Sequence, residues 1–110
     1  MKHVKFSDLE IEYNEKGLIP IIVQDKLSNE VLMMAWMNSS SLDKTIKTKN
    51  LVYWSRSRNK LWRKGETSGN SQQLVELIID CDQDCLLAKV KQVGPACHTK
   101  NKTCFYRLLA

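Results

Sequence analysis

Three aspartates and two cysteines alternate in the stretch DCDQDC, which begins at residue 80. On an extended strand, Asp80, Asp82 and Asp84 would share one face, while Cys81 and Cys85 would share the other. Three like charges repel each other unless a cation neutralises them, and carboxylate oxygens suit the hard cations Mg²⁺ and Ca²⁺. The outer carboxylates of a straight strand start about 13 Å apart, so direct ligation by all three requires a bend or bridging waters. The alternative is a solvated acidic strand end.

Two further cysteines and a histidine follow in GPACHTKNKTC, at Cys97, His98 and Cys104. The closely spaced cysteine pairs of a closed structural zinc site are missing. With Cys81 as a third ligand, these thiolates would instead describe a catalytic zinc, whose open position holds a water molecule. His98 would then be the general acid or base beside it. The alternatives are inert or buried thiols and an ordinary polar histidine.

A third group of residues concentrates positive charge in YWSRSRNKLWRKGETSGN, residues 53–70. Hydroxyl donors, together with glycines that let backbone amides approach an anion, give this stretch what a phosphate site needs. Its aromatic side chains would either stack on a base or belong to the core. The alternative is a basic, solvated hairpin. The predicted substrate-binding residues are Ser55, Arg56, Ser57, Arg58, Trp62, Lys64, Gly65, Glu66, Thr67, Ser68 and Gly69.

Short runs of β-branched and aromatic residues must position these groups. GLIPIIVQD, NLVYWSRS, LVELIIDCD and LLAKVKQV each predict a strand. VLMMAWMNSSSLDKTIKT predicts a strand that ends within Met33–Met37 and then a helix. One of the serines 39–41 would cap this helix, and Asp43 in its first turn would favour the helix dipole. The predicted fold class is α+β, a mainly β single domain with a mixed or antiparallel sheet and one principal helix.

The chain's 110 residues suit one domain, 1–110, and its first residues do not look like a signal peptide. Its longest apolar runs are shorter than the roughly 20 residues that cross a bilayer, so we expect a cytoplasmic protein with no membrane partner. In a reducing compartment, four spaced cysteines more often bind metal or do chemistry than form disulfides. The net charge of +5 suits a partner that carries phosphates.

YWSRSR, LWRKGETSGN, DCDQD and GPACHT followed by TCFY, in this order and spacing, resemble the phosphoribosyl-AMP cyclohydrolases, enzymes of histidine biosynthesis. The likeness runs from about Val31 to Tyr106. It implies an obligate homodimer that binds one Zn²⁺ and one Mg²⁺ per subunit. We also expect the single-activity form, without the pyrophosphohydrolase domain that is fused in some relatives.

The resemblance also assigns the metal ligands. Cys81 of one subunit would bind zinc together with Cys97 and Cys104 of the other. The magnesium ligands would be Asp80, Asp82 and Asp84. Cys85 departs from the family pattern, in which a small apolar residue such as alanine is more usual, and we interpret it as a core thiol.

The implied reaction opens the adenine ring of 1-(5-phosphoribosyl)-AMP between N1 and C6, giving the phosphoribosyl-formimino-AICAR phosphate intermediate of L-histidine biosynthesis. A zinc-activated hydroxide would attack C6, and His98 would move a proton to the departing nitrogen. One rival is a zinc-dependent base deaminase, but its H-x-E and P-C-x-x-C pattern is absent. The other is a module for single-stranded nucleic acid, which leaves the aspartates and cysteines unexplained. We therefore expect a small-molecule substrate and no nucleic-acid partner.

Overall fold

Six strands and one α-helix make up the fold in a computed structural model that describes residues 1–110. A short 3-10 helix, Phe6–Asp8, precedes them. The elements are, in chain order, β1 (Ile19–Asp25), β2 (Val31–Met37), α1 (Ser39–Thr48), β3 (Val52–Ser55), β4 (Lys60–Arg63), β5 (Gln72–Ile79) and β6 (Leu86–Gln92). No helix of this fold has both the length and the apolar character needed to cross a lipid bilayer.

The strands form two sheets. Four of them lie in the order β2-β1-β6-β5, and β3 and β4 form a separate antiparallel pair. In the larger sheet β1 runs antiparallel to β2 but parallel to β6, while β5 and β6 are antiparallel. The sheet is therefore mixed, and the prediction of a compact, mainly β domain with one principal helix is confirmed. The homodimer stays a prediction.

The hydrophobic core lies on one face of the central strands. Ile19, Ile21 and Val23 of β1 are fully buried, and the alternate residues Leu86, Ala88 and Val90 of β6 are also buried. This spacing follows from the period of two along a strand, which directs alternate side chains to the same face. Leu42 of α1 and Tyr53 of β3 complete the same core cluster. Each such side chain contributes about 1.5–3 kcal/mol through burial, so α1 and β3 are held firmly against the sheet.

The cap of α1 differs from the prediction. Asn38, and not one of the following serines, is the N-cap: its side chain accepts a hydrogen bond from the Ser41 amide at 2.8 Å. The Ser41 hydroxyl in turn accepts one from the Asn38 amide at 2.9 Å, which makes a reciprocal capping box. Asn caps helices as well as Ser does, and here it comes first along the chain. Asp43 lies beyond the first turn, where it pairs with Lys47 at 2.9 Å.

The strand predicted over LVELIIDCD ends earlier than expected, because β5 stops at Ile79 and the aspartates lie in a turn. The Asp80 carboxylate accepts hydrogen bonds from the amides of Asp84 at 3.0 Å and Cys85 at 3.2 Å. Gln83 adopts a left-handed backbone with φ of 62°. Aspartate side chains commonly bond to nearby main-chain amides in this way and compete with strand formation. The predicted alternation of carboxylates and thiols on opposite strand faces is therefore wrong.

Candidate metal and substrate site

The acidic turn, residues 80–85 between β5 and β6, brings three carboxylates together. One ligand oxygen from each of Asp80, Asp82 and Asp84 lies within 4.8 Å of the other two, and all three residues are exposed. A hydrogen bond with Asp80, loss of solvent and the charges of Asp80 and Asp82 raise the pKa of Asp84. The bend makes possible a direct contact of all three with one ion, which a straight strand would not allow. An oxygen-only donor set of this kind fits a hard divalent cation.

The thiol loop, residues 96–104, carries two of the three cysteines predicted to bind zinc. The Ala96 amide donates to the Lys102 carbonyl at 3.0 Å, which closes the loop across its base. At the end of the loop the Cys104 amide donates to the Leu32 carbonyl in β2 at 2.7 Å. Cys97 is 7% exposed. Main-chain hydrogen bonds therefore close the loop and fix its last residue to β2.

The two thiols of this loop differ in acidity. Hydrogen bonds from the Thr99 side chain and main chain, followed by one from Cys104, hold the pKa of Cys97 below its usual value. The Cys97 sulfur lies 2.9 Å from the Thr99 hydroxyl. Desolvation of the sulfur, followed by its hydrogen bond with Cys97, raises the pKa of Cys104. Two cysteine sulfurs on one short loop form a soft donor pair, which fits zinc.

One chain does not bring all three predicted zinc ligands together. The three aspartates are the only metal-ligating side chains that gather as a group of three, so Cys81 lies apart from the Cys97 and Cys104 pair. Cys81 is exposed on the acidic turn. Cys85, on the same turn, is half-buried, and burial followed by the charges of Asp80 and Asp84 raises the pKa of its thiol. His98 is exposed next to buried Cys97.

The basic hairpin, formed by β3 and β4 with their connecting turn, carries exposed arginines over aromatic rings. The Arg56 guanidinium lies 4.8 Å from the Trp36 ring, and that of Arg58 lies 5.9 Å from the Trp62 ring. The Ser55 hydroxyl accepts hydrogen bonds from the Arg58 amide and side chain, both at 3.3 Å. Planar guanidinium groups held in this way offer donors that match a phosphate. Ser57 is also exposed in this turn.

The glycine loop, residues 65–69, follows the hairpin and doubles back on itself. The Gly69 amide donates to the Gly65 carbonyl at 2.9 Å. Gly65 has a φ of +84°, and a Cβ atom there would lie 2.7 Å from the Asn70 main chain, so only glycine fits. Gly69 has a φ of +78°, with open space where a Cβ would point. The three residues between the glycines are exposed, and they are Glu66, Thr67 and Ser68.

Lys64 is separated from the other predicted phosphate ligands. It is 8% exposed, and its ammonium donates a hydrogen bond to the Ala96 carbonyl at 2.6 Å. The ammonium also lies 5.2 Å from the Trp62 ring. Burial lowers the pKa of Lys64, while the negative charges of Cys104 and Cys97 act in the opposite direction. The side chain thus connects the basic stretch with the thiol loop.

Several contacts at the site have no counterpart in the sequence analysis. Thr99 bonds the Cys97 sulfur, and the Thr103 hydroxyl donates to the Val31 carbonyl at 2.7 Å. The only sequence signal for these contacts is a threonine near each cysteine of the thiol loop, and threonine is too common for this signal to be specific. The stacking of Arg56 on Trp36 joins residues from separate sheets. Residue spacing along the chain carries no information about such a contact.

Comparison with known proteins identifies the family. The family model for phosphoribosyl-AMP cyclohydrolase matches residues 33–106, which include the basic hairpin, the acidic turn and the thiol loop. This chain belongs to the phosphoribosyl-AMP cyclohydrolase family. A phosphoribosyl-AMP cyclohydrolase of Ruegeria sp. is 59% identical over 103 residues, covering 94% of this chain and 80% of that protein.

Other phosphoribosyl-AMP cyclohydrolases are similarly related. The one from Dinoroseobacter shibae is 54% identical over 94% of this chain and 87% of its own length. The one from Chlorobium phaeovibrioides is 56% identical over 88% of this chain and 71% of its own length. The resemblance found in the sequence is confirmed, and with it the prediction of a hydrolase of histidine biosynthesis.

Proposed function

We propose that this chain hydrolyses 1-(5-phosphoribosyl)-AMP at the N1–C6 bond of the adenine ring, in the cytoplasm, as a step of L-histidine biosynthesis. Membership of the phosphoribosyl-AMP cyclohydrolase family supports the substrate and the reaction. The observation that carries the assignment to a site is the thiol loop, which a hydrogen bond from Ala96 to Lys102 closes around Cys97 and which ends at Cys104, whose amide is bonded to β2. A thiol pair held in a closed loop, with an exposed His98 beside it, has the groups that a metal-assisted hydrolysis needs.

Cys97 and Cys104 would hold Zn²⁺, and Cys81 of a second subunit would be the third ligand. When bound, zinc supplies a Lewis acid that makes water acidic enough to attack a ring carbon at neutral pH. The hydrogen bonds from Thr99 favour the thiolate of Cys97, so this ligand is already biased toward the form that binds metal. Because Cys104 gives up its proton less readily, zinc binding should release a proton mainly from this residue.

His98 is the candidate for proton transfer. C6 of the substrate is electrophilic because N1 carries a ribosyl group and the ring is cationic. As the bond to C6 breaks, N1 needs a proton, and the exposed His98 imidazole next to Cys97 would deliver it.

The acidic turn and the basic residues would bind the two phosphates of the substrate. Arg56 and Arg58 present guanidinium groups, and the glycine loop presents hydroxyls and exposed main chain. This extended arrangement suits two separate phosphates better than a single anion. Asp80, Asp82 and Asp84 would hold Mg²⁺, which supplies positive charge for one of them.

The most direct test follows the ultraviolet change of ring opening when zinc-replete protein is incubated with phosphoribosyl-AMP. We expect turnover that is lost on chelation and restored by zinc. A protein that holds stoichiometric zinc yet leaves the substrate unchanged would contradict the proposed function.

The proposed homodimer has its own test, because two thiols from one chain and one from another make a shared site. Cys81→Ala and Cys97→Ala homodimers should each be nearly inactive. In a mixed dimer, one site would draw Cys81 from one chain and Cys97 with Cys104 from the other, and would be intact. With random exchange about half the dimers are mixed, so activity should recover to roughly a quarter of wild type. No recovery, despite subunit exchange seen by mass spectrometry, would place all three ligands within one subunit.

A further inference from the structure

The Lys64 ammonium is the buried cation of this site. Its residue is 8% exposed, whereas Arg56 and Arg58 on the adjoining hairpin are exposed. A buried ammonium is unfavourable unless hydrogen bonds and negative charge compensate it. The Ala96 carbonyl supplies the hydrogen bond at 2.6 Å, and the Trp62 ring lies 5.2 Å away. The compensating negative charge must come from groups nearby.

The thiol loop would supply that charge once zinc binds and both of its thiols are deprotonated. Cys104 and Cys97 are the acidic groups whose charges act on Lys64. Three thiolates on one Zn²⁺ would carry a net charge of −1, so a buried cation beside them balances the site. A substrate phosphate, by contrast, would have to reach an ammonium that is enclosed by protein and already bonded to a main-chain carbonyl.

Lys64 is also fixed at both ends. Its amide donates to the Leu51 carbonyl at 2.9 Å, and Leu51 is fully buried in the core. Its ammonium holds the carbonyl of Ala96, the residue that immediately precedes Cys97. The side chain therefore spans from the core to the residue at the start of the thiol loop, next to Cys97.

We propose that Lys64 is a positioning residue for the zinc thiolates and does not bind a substrate phosphate. It fixes the Ala96 carbonyl and offsets the negative charge of Cys97 and Cys104. The inference rests on the proposed zinc site, and it replaces the phosphate-binding role that the basic sequence around Lys64 suggests.

The test compares Lys64→Met with Lys44→Met. Methionine keeps the length and packing of the side chain but removes its charge and donor, and Lys44 is an exposed lysine on α1 whose loss changes net charge equally. Zinc affinity is measured by competition with a chromophoric chelator, and KM is measured at saturating zinc. We expect Lys64→Met to weaken zinc binding about 10–100-fold, as loss of groups that support metal ligands typically does. Its KM should stay within about two-fold of wild type, and Lys44→Met should change neither quantity.

The outcomes separate the two hypotheses. Wild-type protein that binds no stoichiometric zinc would remove the proposed zinc site itself. A different result would overturn the positioning role: the wild type binds zinc tightly, and Lys64→Met has the same zinc affinity but a raised KM. Lys64 would then be assigned to the phosphate site.

Lys64→Arg keeps the test decisive if the methionine variant fails to fold, as judged by circular dichroism. It retains the charge but replaces a compact ammonium with a larger planar group. We expect the zinc affinity of Lys64→Arg to lie between those of the wild type and Lys64→Met. If Lys64→Met is unfolded, the affinity of Lys64→Arg should simply lie below that of the wild type. In both cases its KM should equal that of the wild type. The sulfur-to-metal absorption of the Co²⁺ form gives a readout independent of activity. Wild-type absorption and zinc affinity together with a raised KM would contradict the proposal.

Discussion

The acidic turn and the thiol loop both present candidate metal ligands just beyond a strand of the same sheet, yet they are held in different ways. In the acidic turn, Asp80 bonds to amides only four and five residues away, and all three carboxylates are exposed. In the thiol loop, Cys104 is tied to Leu32 and Ala96 to Lys64, across long stretches of chain. The carboxylates are placed mainly by local contacts, although Gln83 joins their turn to Glu10 and Glu12. The ends of the thiol loop are fixed by bonds to β2 and to Lys64.

The electrostatics of the two regions also differ. In the thiol loop, hydrogen bonds from Thr99 lower the pKa of Cys97, whereas desolvation and then the interaction with Cys97 raise the pKa of Cys104. In the acidic turn, a hydrogen bond with Asp80, desolvation and then the charges of Asp80 and Asp82 raise the pKa of Asp84. A cation bound only by the folded state would stabilise both regions by mass action, and in the acidic turn it would also relieve the repulsion among three exposed carboxylates that lie close together. We therefore expect the thiol loop to keep its shape without metal and the acidic turn to depend more on its ion.

The largest effect is expected at the exposed tip of the thiol loop. His98→Ala removes the proposed acid and base group but no buried contact. The maximal rate should fall about 10²–10⁴-fold, with much less change in KM, because such groups act in the transition state. Steady-state kinetics at saturating zinc, with zinc content measured in parallel, provides the check. An unchanged rate would leave His98 without a role in the reaction.

The next effect concerns the anchoring of the thiol loop to β2. The Thr103 hydroxyl donates to the Val31 carbonyl at 2.7 Å and accepts from the Phe105 amide at 3.0 Å. Thr103→Val removes these bonds at nearly constant shape, and we expect a loss of about 1 kcal/mol in unfolding free energy. Urea unfolding of metal-free protein measures it. Thr48→Val is the control, since the Thr48 hydroxyl bonds mainly within its own helix. Equal losses of unfolding free energy in the two variants would contradict a special role for Thr103 in anchoring the thiol loop.

Local contacts and long-range contacts also differ in how well a sequence reveals them. The β-branched run of β1 and the alternation of β6 predicted these two strands, because such patterns are properties of neighbouring residues. The sequence indicated the aspartates as a group, but it predicted a strand where the structure has a turn. The bond from Lys64 to Ala96 spans 32 positions, so the basic composition around Lys64 suggested a phosphate ligand. Only the fold, which brings Lys64 to Ala96 at the start of the thiol loop, reveals its burial.

A smaller effect is expected in the acidic turn. Asp82→Asn removes one charge and spares Asp80, whose carboxylate supports the turn. The melting temperature of the metal-free variant at pH 7 should be about 1–3 °C above that of the wild type, as expected for a favourable surface substitution in a domain of this size. The further rise on adding Mg²⁺ should shrink, because a ligand is lost. An unchanged response to Mg²⁺ would exclude Asp82 as a ligand.

The pH dependence of that Mg²⁺ response follows from Asp84. Because its pKa is raised in the folded state, its stabilising contribution is complete below the pKa of the unfolded chain and is lost as pH rises through the folded value. Without metal, the repulsion is therefore greatest at neutral pH. Melting curves with and without Mg²⁺ should differ more at pH 7 than at pH 4. A response independent of pH would show that Mg²⁺ binds elsewhere.

The smallest effect is expected for Cys85, which lies where the acidic turn meets β6. Its sulfur is 3.8 Å from the Leu86 carbonyl, and burial followed by the charges of Asp80 and Asp84 raises the pKa of its thiol. Cys85 is half-buried, whereas Cys81 on the same turn is exposed and free to reach a second subunit. Cys85→Ala should therefore keep wild-type zinc content and activity, and its unfolding free energy should change by no more than about 0.5 kcal/mol. Native mass spectrometry of this variant beside Cys81→Ala compares the two cysteines of one turn. Zinc lost from Cys85→Ala but kept by Cys81→Ala would move the ligand to Cys85 and change which side of the acidic turn faces the second subunit.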